Sequence, residues 1–260
     1  QNKLIVEALH RLGKEASYLE IDHPHGHDSF LIQSNSFLRA VRVFLNGLDE
    51  KEKSEQNVDR FRKVEDRYEV KKEADFKVID HWVKPAESVL DLGCGRGMLL
   101  EYLRDSKQVR GLGVDYDTAK ATSCIAREVA VYQADIRKAL ENLGDDSFDW
   151  VIFSRMIEEL PEPGSVILEA LRVGKRVALS FVNYGYWRNR IHFLRKGIRI
   201  KNDVYPDNWE KSDLRNHFSI SEFENFCKNR QGDLRPFEIG RKVYHQGDWV
   251  KTCSVLPNLR

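Results

Sequence analysis

The chain is poor in three features: it has few cysteines, almost no net charge and no long apolar run. Its four cysteines, Cys94, Cys124, Cys227 and Cys253, form no Cys-x-x-Cys pair. This argues against a disulfide framework or zinc knuckle and predicts a reducing, cytoplasmic setting. With 42 Lys and Arg against 41 Asp and Glu, the net charge is +1, so no strong field favours nucleic acid or an anionic membrane. No apolar run approaches the ~20 residues of a membrane span.

Enough apolar residues are present for a real core, because 41% of the 260 residues are hydrophobic, and the length suits one large domain or two smaller ones. The charge excess is local: 18 of the 27 residues from 49 to 75 are Asp, Glu, Lys or Arg, with the two signs interleaved. We therefore predict an N-terminal segment at 1–48, a charged linker at 49–74 and a main domain at 75–260.

Strands alternate with helices throughout the main domain. The pattern predicts strands at 89–91, 109–115, 129–134, 148–153 and 177–182, with helices at 98–103, up to 127 and at 164–172. That order predicts the α/β class, with a doubly wound, mostly parallel sheet. Later, Ser221–Glu224 matches a capping box that opens a helix with Phe223 and Phe226 facing a core, and 237–244 is a strand candidate. The N-terminal segment is predicted as helix, short strand 16–21, His-rich loop and helix 37–48.

A glycine-rich turn, Asp-Leu-Gly-Cys-Gly-Arg-Gly at 91–97, follows the first predicted strand. Glycines there let a ligand approach the backbone and are expected to leave N–H groups free to donate. Asp115 ends the second strand, 115 − 91 = 24 residues after Asp91, where an acid can accept from both ribose hydroxyls. The turn is G-x-G-x-G rather than G-x-G-x-x-G, which suits a nucleoside without phosphates, whose charged part is an amino acid.

These motifs resemble those of the class I S-adenosylmethionine-dependent methyltransferases, over about residues 75–245. The resemblance implies that Asp115 binds ribose, that Tyr116 lies against adenine, and that Asp135 accepts from the adenine amino group. It also implies that the fourth strand ends beside the sulfonium. The implied cofactor is S-adenosylmethionine, and the implied binding residues are Asp91, Gly93, Cys94, Gly95, Asp115, Tyr116, Asp135, Ile136 and Ser154.

The methyl acceptor is less well indicated. Residues 154–160 lack the Asn/Asp-Pro-Pro-Tyr-type clamp of amino-methylating nucleic-acid enzymes, and no Cys follows a Pro as cytosine C5 methylation requires. Glu158 and Glu159 are expected to be solvated loop acids rather than a catalytic base. Residues 184–201 hold six Arg or Lys and no acid beside Trp187. An RNA-binding surface is one interpretation. The favoured one is a basic amphipathic helix that packs Trp187, Ile191 and Leu194 on the sheet.

A closer resemblance is to the MetW family of methionine-biosynthesis proteins. Two stretches and one residue carry this resemblance: Leu171–Arg190, Ser219–Cys227 and Trp209. The family has the class I methyltransferase fold and works beside homoserine O-acyltransferases. This chain departs from the family pattern at Arg96, which replaces an acid, at Val182, which replaces a Pro, and at 212–217, which lacks Thr-Pro-Asn-Ile-His.

The loop Asp22-His-Pro-His-Gly-His-Asp28 allows three interpretations: a metal site, a polar turn or the histidine of a catalytic triad. The order of its ligands does not fit a known His-x-His-x-Asp-His metal site, and no metal is predicted. Residues 1–48 resemble the C-terminal end of homoserine O-acetyltransferases, an α/β-hydrolase family, and His27 falls on that family's catalytic His. No G-x-S-x-G nucleophile occurs in the chain and no triad acid is in place, so His27 alone is not expected to act.

The simplest account is a fragment of a fusion protein, an acyltransferase followed by a MetW-like domain. The predicted function is an S-adenosylmethionine-binding domain of methionine biosynthesis that acts with a homoserine O-acetyltransferase in cis or in trans. An active small-molecule methyltransferase is the first alternative, and an RNA methyltransferase is the second. Beyond the acyltransferase, the predicted partner is a small-molecule ligand, with no nucleic acid and no membrane.

Overall fold

The computed structural model describes residues 2–12, 14, 16–20, 41, 73–154, 156–199, 215–229, 239–246 and 249–251. The predicted His-rich loop, the helix at 37–48 and the linker up to residue 72 lie outside the described residues, apart from residue 41. The elements in chain order are α1 Asn2–Arg11, α2 Glu73–Trp82, β1 Ser88–Leu92, α3 Met98–Lys107, β2 Arg110–Asp115, α4 Thr118–Ala126, β3 Ala130–Gln133, α5 Ile136–Glu141, β4 Trp150–Ser154, α6 Pro163–Val173, β5 Val177–Ser180, α7 Trp187–Lys196, α8 Ile220–Asn229, β6 Tyr244–Gln246 and β7 Trp249–Lys251.

The chain divides into two compact units. The first holds Gln1–Ile152 and Glu169–Ala178, and the second holds Phe153–Leu168 and Leu179–Arg260. Five strands form one sheet in the order β3-β2-β1-β4-β5. β1 pairs with β2 and β2 pairs with β3, both in parallel. The strand order reverses between β1 and β4, which is where doubly wound sheets bind ligands at their carboxyl ends. The predicted α/β class is confirmed.

Continuous apolar runs explain why these strands are central. Val89, Leu90 and Leu92 of β1 are fully buried, as is Val131 of β3, because a parallel sheet covered on both faces has no solvent-facing side. Helix α3 adds Leu99, Leu100 and Leu103 to the core of the first unit. Helix α2, which the sequence pattern did not predict, packs Trp82 against Trp150 with ring centroids 6.3 Å apart.

Asp149 ties the start of β1 to the segment before β4. Its Oδ2 accepts from the Ser88 N–H at 3.0 Å and from the Ser88 hydroxyl at 2.9 Å. Its Oδ1 accepts from Lys175 Nζ at 2.9 Å. The backbone bond from Ser88, followed by the Lys175 bond, holds the pKa of Asp149 down at about 2.

Asp149→Asn is therefore expected to lower the free energy of unfolding at pH 7 by about 1.5–3 kcal/mol, the usual contribution of a hydrogen bond to a charged group. An acid with a lowered folded-state pKa stabilises above its unfolded pKa of about 4. Its contribution is lost as pH falls towards the folded pKa of about 2. Urea denaturation of wild type and variant at pH 7 and at low pH measures this, with exposed Glu141→Gln as the control. A difference that does not shrink in acid would contradict the assignment.

In the second unit, α8 begins two residues earlier than predicted. The capping box is formed by Ser219 and Glu222 rather than by Ser221 and Glu224. The Ser219 N–H donates to Glu222 Oε2 at 2.7 Å, and the Glu222 N–H donates to Ser219 Oγ at 3.2 Å. The earlier start buries Ile220, which is 8% exposed. Both spacings satisfy the Ser-x-x-Glu pattern, so only packing decides between them.

The helix contacts predicted for Phe223 are present, whereas the late strand is displaced. The Phe223 ring lies 5.1 Å from that of Phe181 and 6.4 Å from that of Phe226, centroid to centroid. Residues 239–243 of the predicted strand 237–244 are not in a strand. The strand that forms, β6, begins at Tyr244 and pairs antiparallel with β7.

Helix α7 corrects another expectation. Trp187, Ile191 and Leu194 were predicted to pack on the sheet, but they are 36%, 39% and 85% exposed, and no residue of α7 is buried. The helix carries several cations and no acid, so covering it with apolar residues would desolvate unpaired charge. No helix in the described part of the chain is long and apolar enough to cross a membrane.

Candidate functional site

The turn between β1 and α3 has a left-handed backbone at its three glycines. Gly93, Gly95 and Gly97 have φ of 72°, 57° and 79°, a region that residues with a side chain rarely adopt. A Cβ built on Gly95 would meet no atom within 4 Å. The space beside Gly95 is therefore open, and a ligand can approach the backbone there.

The backbone N–H groups of this turn are not free, which corrects the expectation from the sequence. Gly93 and Cys94 donate to the Val114 carbonyl at 2.8 and 3.1 Å, and Gly97 donates to the Cys94 carbonyl at 3.0 Å. The Gly95 N–H donates to Asp115 Oδ2 at 3.0 Å. Because β2 and its terminal acid accept from Gly93, Cys94 and Gly95, the turn is fixed against the carboxyl end of β2 before any ligand arrives.

Close packing beneath the turn depends on Gly113 of β2. A Cβ there would lie 2.5 Å from Cys94 Sγ. The Cys94 sulfur lies 3.9 Å from Cys124 Sγ, and the hydrogen bond to Cys124, together with burial, raises the pKa of the Cys94 thiol. The Cys94 side chain thus faces the interior, and what this residue can offer a ligand is its backbone.

Asp115 accepts hydrogen bonds from two separate loops of the site. It is only 4% exposed, and its Oδ1 accepts from the Asp117 N–H at 2.9 Å while its Oδ2 accepts from Gly95. Lys120 Nζ lies 3.8 Å from Oδ2. A carboxylate offers about four lone-pair sites, so acceptor capacity for a hydroxyl remains. Asp91, in β1, is 2% exposed.

Tyr116 follows Asp115 and presents its ring to solvent. Its side chain is 75% exposed, and Lys120 Nζ lies 5.8 Å from the ring centroid. The Tyr116 carbonyl accepts from Gln133 Nε2 at 3.4 Å, and Thr118 Oγ1 accepts from the same nitrogen at 2.9 Å. An exposed aromatic face on an anchored backbone can lie against a flat base.

Asp135 lies between β3 and α5, and Ile136 is the first residue of α5. Asp135 is the N-cap of α5, and its Oδ1 accepts from the Arg137 N–H at 2.9 Å. This capping role was missed in the sequence, although an Asp before a helical run is its usual signal. The Asp135 side chain is 56% exposed, whereas Ile136 is 7% exposed. The first unit thus brings the Gly95 turn, Asp115, Tyr116 and Asp135 to the ends of adjacent parallel strands.

The second unit holds the remaining predicted residue, Ser154, at the end of β4. Its Oγ is buried and has no hydrogen-bond partner among the described residues. Glu158 was expected to be solvated, but it is 5% exposed and its Oε1 accepts from the Val182 N–H at 2.7 Å. Its backbone carbonyl accepts from the Arg215 and Asn216 N–H groups, each at 2.9 Å. These contacts hold Glu158 inward, whereas Glu159 is exposed as predicted.

His217 is a group that the sequence analysis did not select as a site residue. Its ring lies edge-on to Tyr184, with centroids 4.9 Å apart. Burial, and then the positive charge of Arg199, lowers the pKa of this imidazole. Among the described residues no group of three or more His, Cys, Asp or Glu could hold a metal. His27 lies outside the described residues.

Comparison with known proteins gives a family match to methionine biosynthesis protein MetW over residues 73–259. A bifunctional methionine biosynthesis protein MetXA/MetW from Rhodopirellula baltica is 29% identical over 209 residues, which cover 76% of this chain and 31% of that protein. A SAM-dependent methyltransferase from Thermotoga maritima has a similar fold, with a TM-score of 0.51 and 18% identity, over 76% of this chain and 90% of its own.

The N-terminal region matches a different group of proteins. A homoserine O-succinyltransferase from Psychrobacter arcticus is 52% identical over 42 residues, or 16% of this chain and 9% of that enzyme. A homoserine O-acetyltransferase from Gluconobacter oxydans is 42% identical over 50 residues, or 19% of this chain and 13% of that enzyme. The chain thus spans less than a third of the length of these curated relatives.

Proposed function

Because the chain belongs to the MetW family of methionine biosynthesis proteins, we propose that its main domain binds S-adenosylmethionine and regulates a homoserine O-acyltransferase. The acyltransferase is part of the same polypeptide or binds to it. One observation carries the cofactor half of the proposal: buried Asp115 fixes the Gly95 turn through a 3.0 Å hydrogen bond. A turn with open space beside Gly95 and an exposed Tyr116 at the next strand end fits a nucleoside joined to an amino acid.

Each part of the ligand then has a partner. The backbone at Gly93, Cys94 and Gly95 would line the methionine moiety, and Asp115 would accept from the ribose diol. Tyr116 would lie against adenine, with Asp135 and Ile136 at its edge. When bound, the cofactor supplies an electrophilic methyl group on a sulfonium. The residues of the first unit would bind and orient it.

A sensing role is favoured over methyl transfer because the segment after β4 offers no ready base. The Glu158 carboxylate accepts a hydrogen bond from the Val182 N–H within the second unit. Glu159 is an exposed loop acid. S-adenosylmethionine is a downstream product of methionine synthesis. A domain that binds it beside an early enzyme of that pathway can report the product level, and a tether raises the effective concentration to the order of millimolar.

The acyltransferase half of the proposal has its support in the N-terminal segment. Its sequence matches the homoserine acyltransferases. Helix α1 leaves Leu4 and Ile5 at 68% and 58% exposure, and Leu12, just after the helix, is 73% exposed. A contiguous patch of large apolar side chains is often an interaction surface, and we propose that the acyltransferase covers this one. The unpaired cysteines Cys94, Cys124 and Cys227 agree with the cytoplasmic location that the sequence predicts.

An active small-molecule methyltransferase is the second candidate, and His217 is the observation that favours it. Its imidazole lies edge-on to Tyr184, and histidine is the side chain that most often serves as a general base. An RNA methyltransferase is a weaker candidate. It has the exposed basic helix α7 in its favour but lacks the amino-methylation clamp in residues 154–160.

S-adenosylmethionine titrated into the acylation assay of the longer polypeptide tests the proposal. We expect saturation to change the acylation rate at least about fivefold, the low end of ordinary coupling between sites. The same titration with Asp115→Ala should shift the response to at least about tenfold higher ligand concentration. A flat response in the wild type, together with methyl transfer to a small acceptor, would overturn sensing and favour the enzyme.

A further inference from the structure

The N-terminal segment extends the sheet at the edge of β3. The Tyr18 N–H donates to the Val131 carbonyl at 2.8 Å, and the Gln133 N–H donates to the Tyr18 carbonyl at 3.0 Å. Tyr18 and Tyr132 form a parallel bridge. An edge strand leaves a row of unpaired backbone groups, and the acyltransferase-like segment occupies part of this row.

Helix α1 holds the same segment through its polar face. Tyr132 is 1% exposed, and its hydroxyl donates to Glu7 Oε1 at 2.7 Å. Asn142 Nδ2 donates to the same oxygen at 3.1 Å. The His10 ring lies edge-on to Tyr132, 5.5 Å between centroids. Helix α1 and residues 16–20 are thus docked together on β3.

The Gln133 side chain joins this docked segment to the proposed adenosine end of the site. Its Oε1 accepts from the Glu20 N–H at 2.8 Å. Its Nε2 donates to Thr118 Oγ1 at 2.9 Å and to the Tyr116 carbonyl at 3.4 Å. One amide therefore cross-links the acyltransferase-like segment with the loop that carries Tyr116.

We propose that Gln133 is the positioning residue that couples occupancy of the cofactor site to the docking of residues 16–20 on β3. A nucleoside that lies against Tyr116 restrains the 116–118 backbone, which fixes the Gln133 amide and holds the Glu20 N–H. In the sequence, His27 follows Glu20 by 27 − 20 = 7 residues. The inference rests on the proposed function, because it needs a ligand at Tyr116.

Coupling differs from mere packing in that it depends on the ligand. A structural hydrogen bond would protect the Glu20 amide equally with and without ligand. If Gln133 couples the two sites, the protection of the Glu20 amide must change when the ligand binds, because thermodynamic linkage between two sites is reciprocal. The test therefore compares amide hydrogen exchange of Tyr18 and Glu20, by nuclear magnetic resonance on the full chain, with and without S-adenosylhomocysteine.

We expect saturating S-adenosylhomocysteine to slow exchange of both amides about fivefold in the wild type. Gln133→Met, which keeps the side-chain length but removes both ends of the bridge, should abolish the ligand-dependent difference while still binding the ligand. Tyr132→Phe is the matched control. It loses the Glu7 bond, so exchange should be faster in both states, yet the ligand-dependent difference should remain.

Failure of the coupling and failure of the proposed function would give different results. Binding of S-adenosylhomocysteine with no change at Tyr18 and Glu20 would overturn the coupling and leave the proposed function standing. No binding to the wild type would overturn both. If Gln133→Met does not fold, Thr118→Val removes only the Oγ1 acceptor of the bridge and should reduce the ligand-dependent difference. An undiminished difference in a folded variant would contradict the role of Gln133.

Discussion

If this chain is joined to the rest of a homoserine acyltransferase, as proposed above, replacing His27 with alanine is expected to reduce acyl transfer to homoserine at least about a thousandfold, because a triad loses its function when its general base is removed. The basis is the resemblance of residues 1–48 to homoserine O-acetyltransferases, in which His27 takes the place of the catalytic histidine. The chain of 260 residues should itself show no acyl transfer from acetyl-coenzyme A, since it contains no G-x-S-x-G nucleophile. Steady-state rates of purified variants measure both.

Neighbouring histidines provide the control. His25→Ala alters the same loop at a position to which the resemblance gives no role, so it should retain most of the activity. A metal site would instead require His23, His25 and His27 alike, and chelation would then abolish activity. A polar turn would tolerate all three substitutions. Full activity of His27→Ala would therefore contradict the triad interpretation.

Asp115→Ala is expected to weaken S-adenosylhomocysteine binding at least tenfold, or about 1.4 kcal/mol. The variant loses the acceptor for the ribose diol, and charge-assisted bonds of this kind contribute about 1.5–3 kcal/mol. It also loses the 3.0 Å bond from Gly95 that fixes the glycine turn. Isothermal titration calorimetry gives the affinity, and circular dichroism confirms that the variant folds.

Asp117→Asn is the matched control for this loss. Asp117 lies two residues away and caps α4 through Oδ1, which accepts from the Ala119 and Lys120 N–H groups. Asn is also a good N-cap, so the variant removes a nearby charge while keeping the local backbone. Its affinity should stay close to wild type. Equal losses in Asp115→Ala and Asp117→Asn would indicate a general effect of charge instead of a ribose contact.

The strand–helix alternation could be predicted because each strand of a parallel sheet is an apolar run bounded by turn residues. The Val89–Leu92 run and the 109–115 run both gave strands at nearly the predicted bounds. Helix α5 escaped prediction because it has only six residues, too few to show a helical period. The start of α8 could not be fixed, since two Ser-x-x-Glu spacings overlap and burial of Ile220 decides between them.

The site was less predictable than the fold. The sequence indicates which strand ends carry Asp115 and Asp135, but not that Asp115 takes up the Gly95 N–H or that Asp135 caps α5. Glu158 looked like a solvated loop acid, and its burial depends on the Val182 backbone, which is distant in sequence. Gln133 belongs to none of the sequence motifs that point to a ligand. Its role follows from three hydrogen bonds to segments that only the fold brings together.

Calorimetric titration of the wild-type chain with S-adenosylhomocysteine tests the central claim most directly, because every regulatory step proposed here begins with that ligand in the turn beside Asp115. Saturable binding at a single site per chain is the expected result. No detectable binding at millimolar ligand, by a chain that is folded under the same conditions, would contradict it.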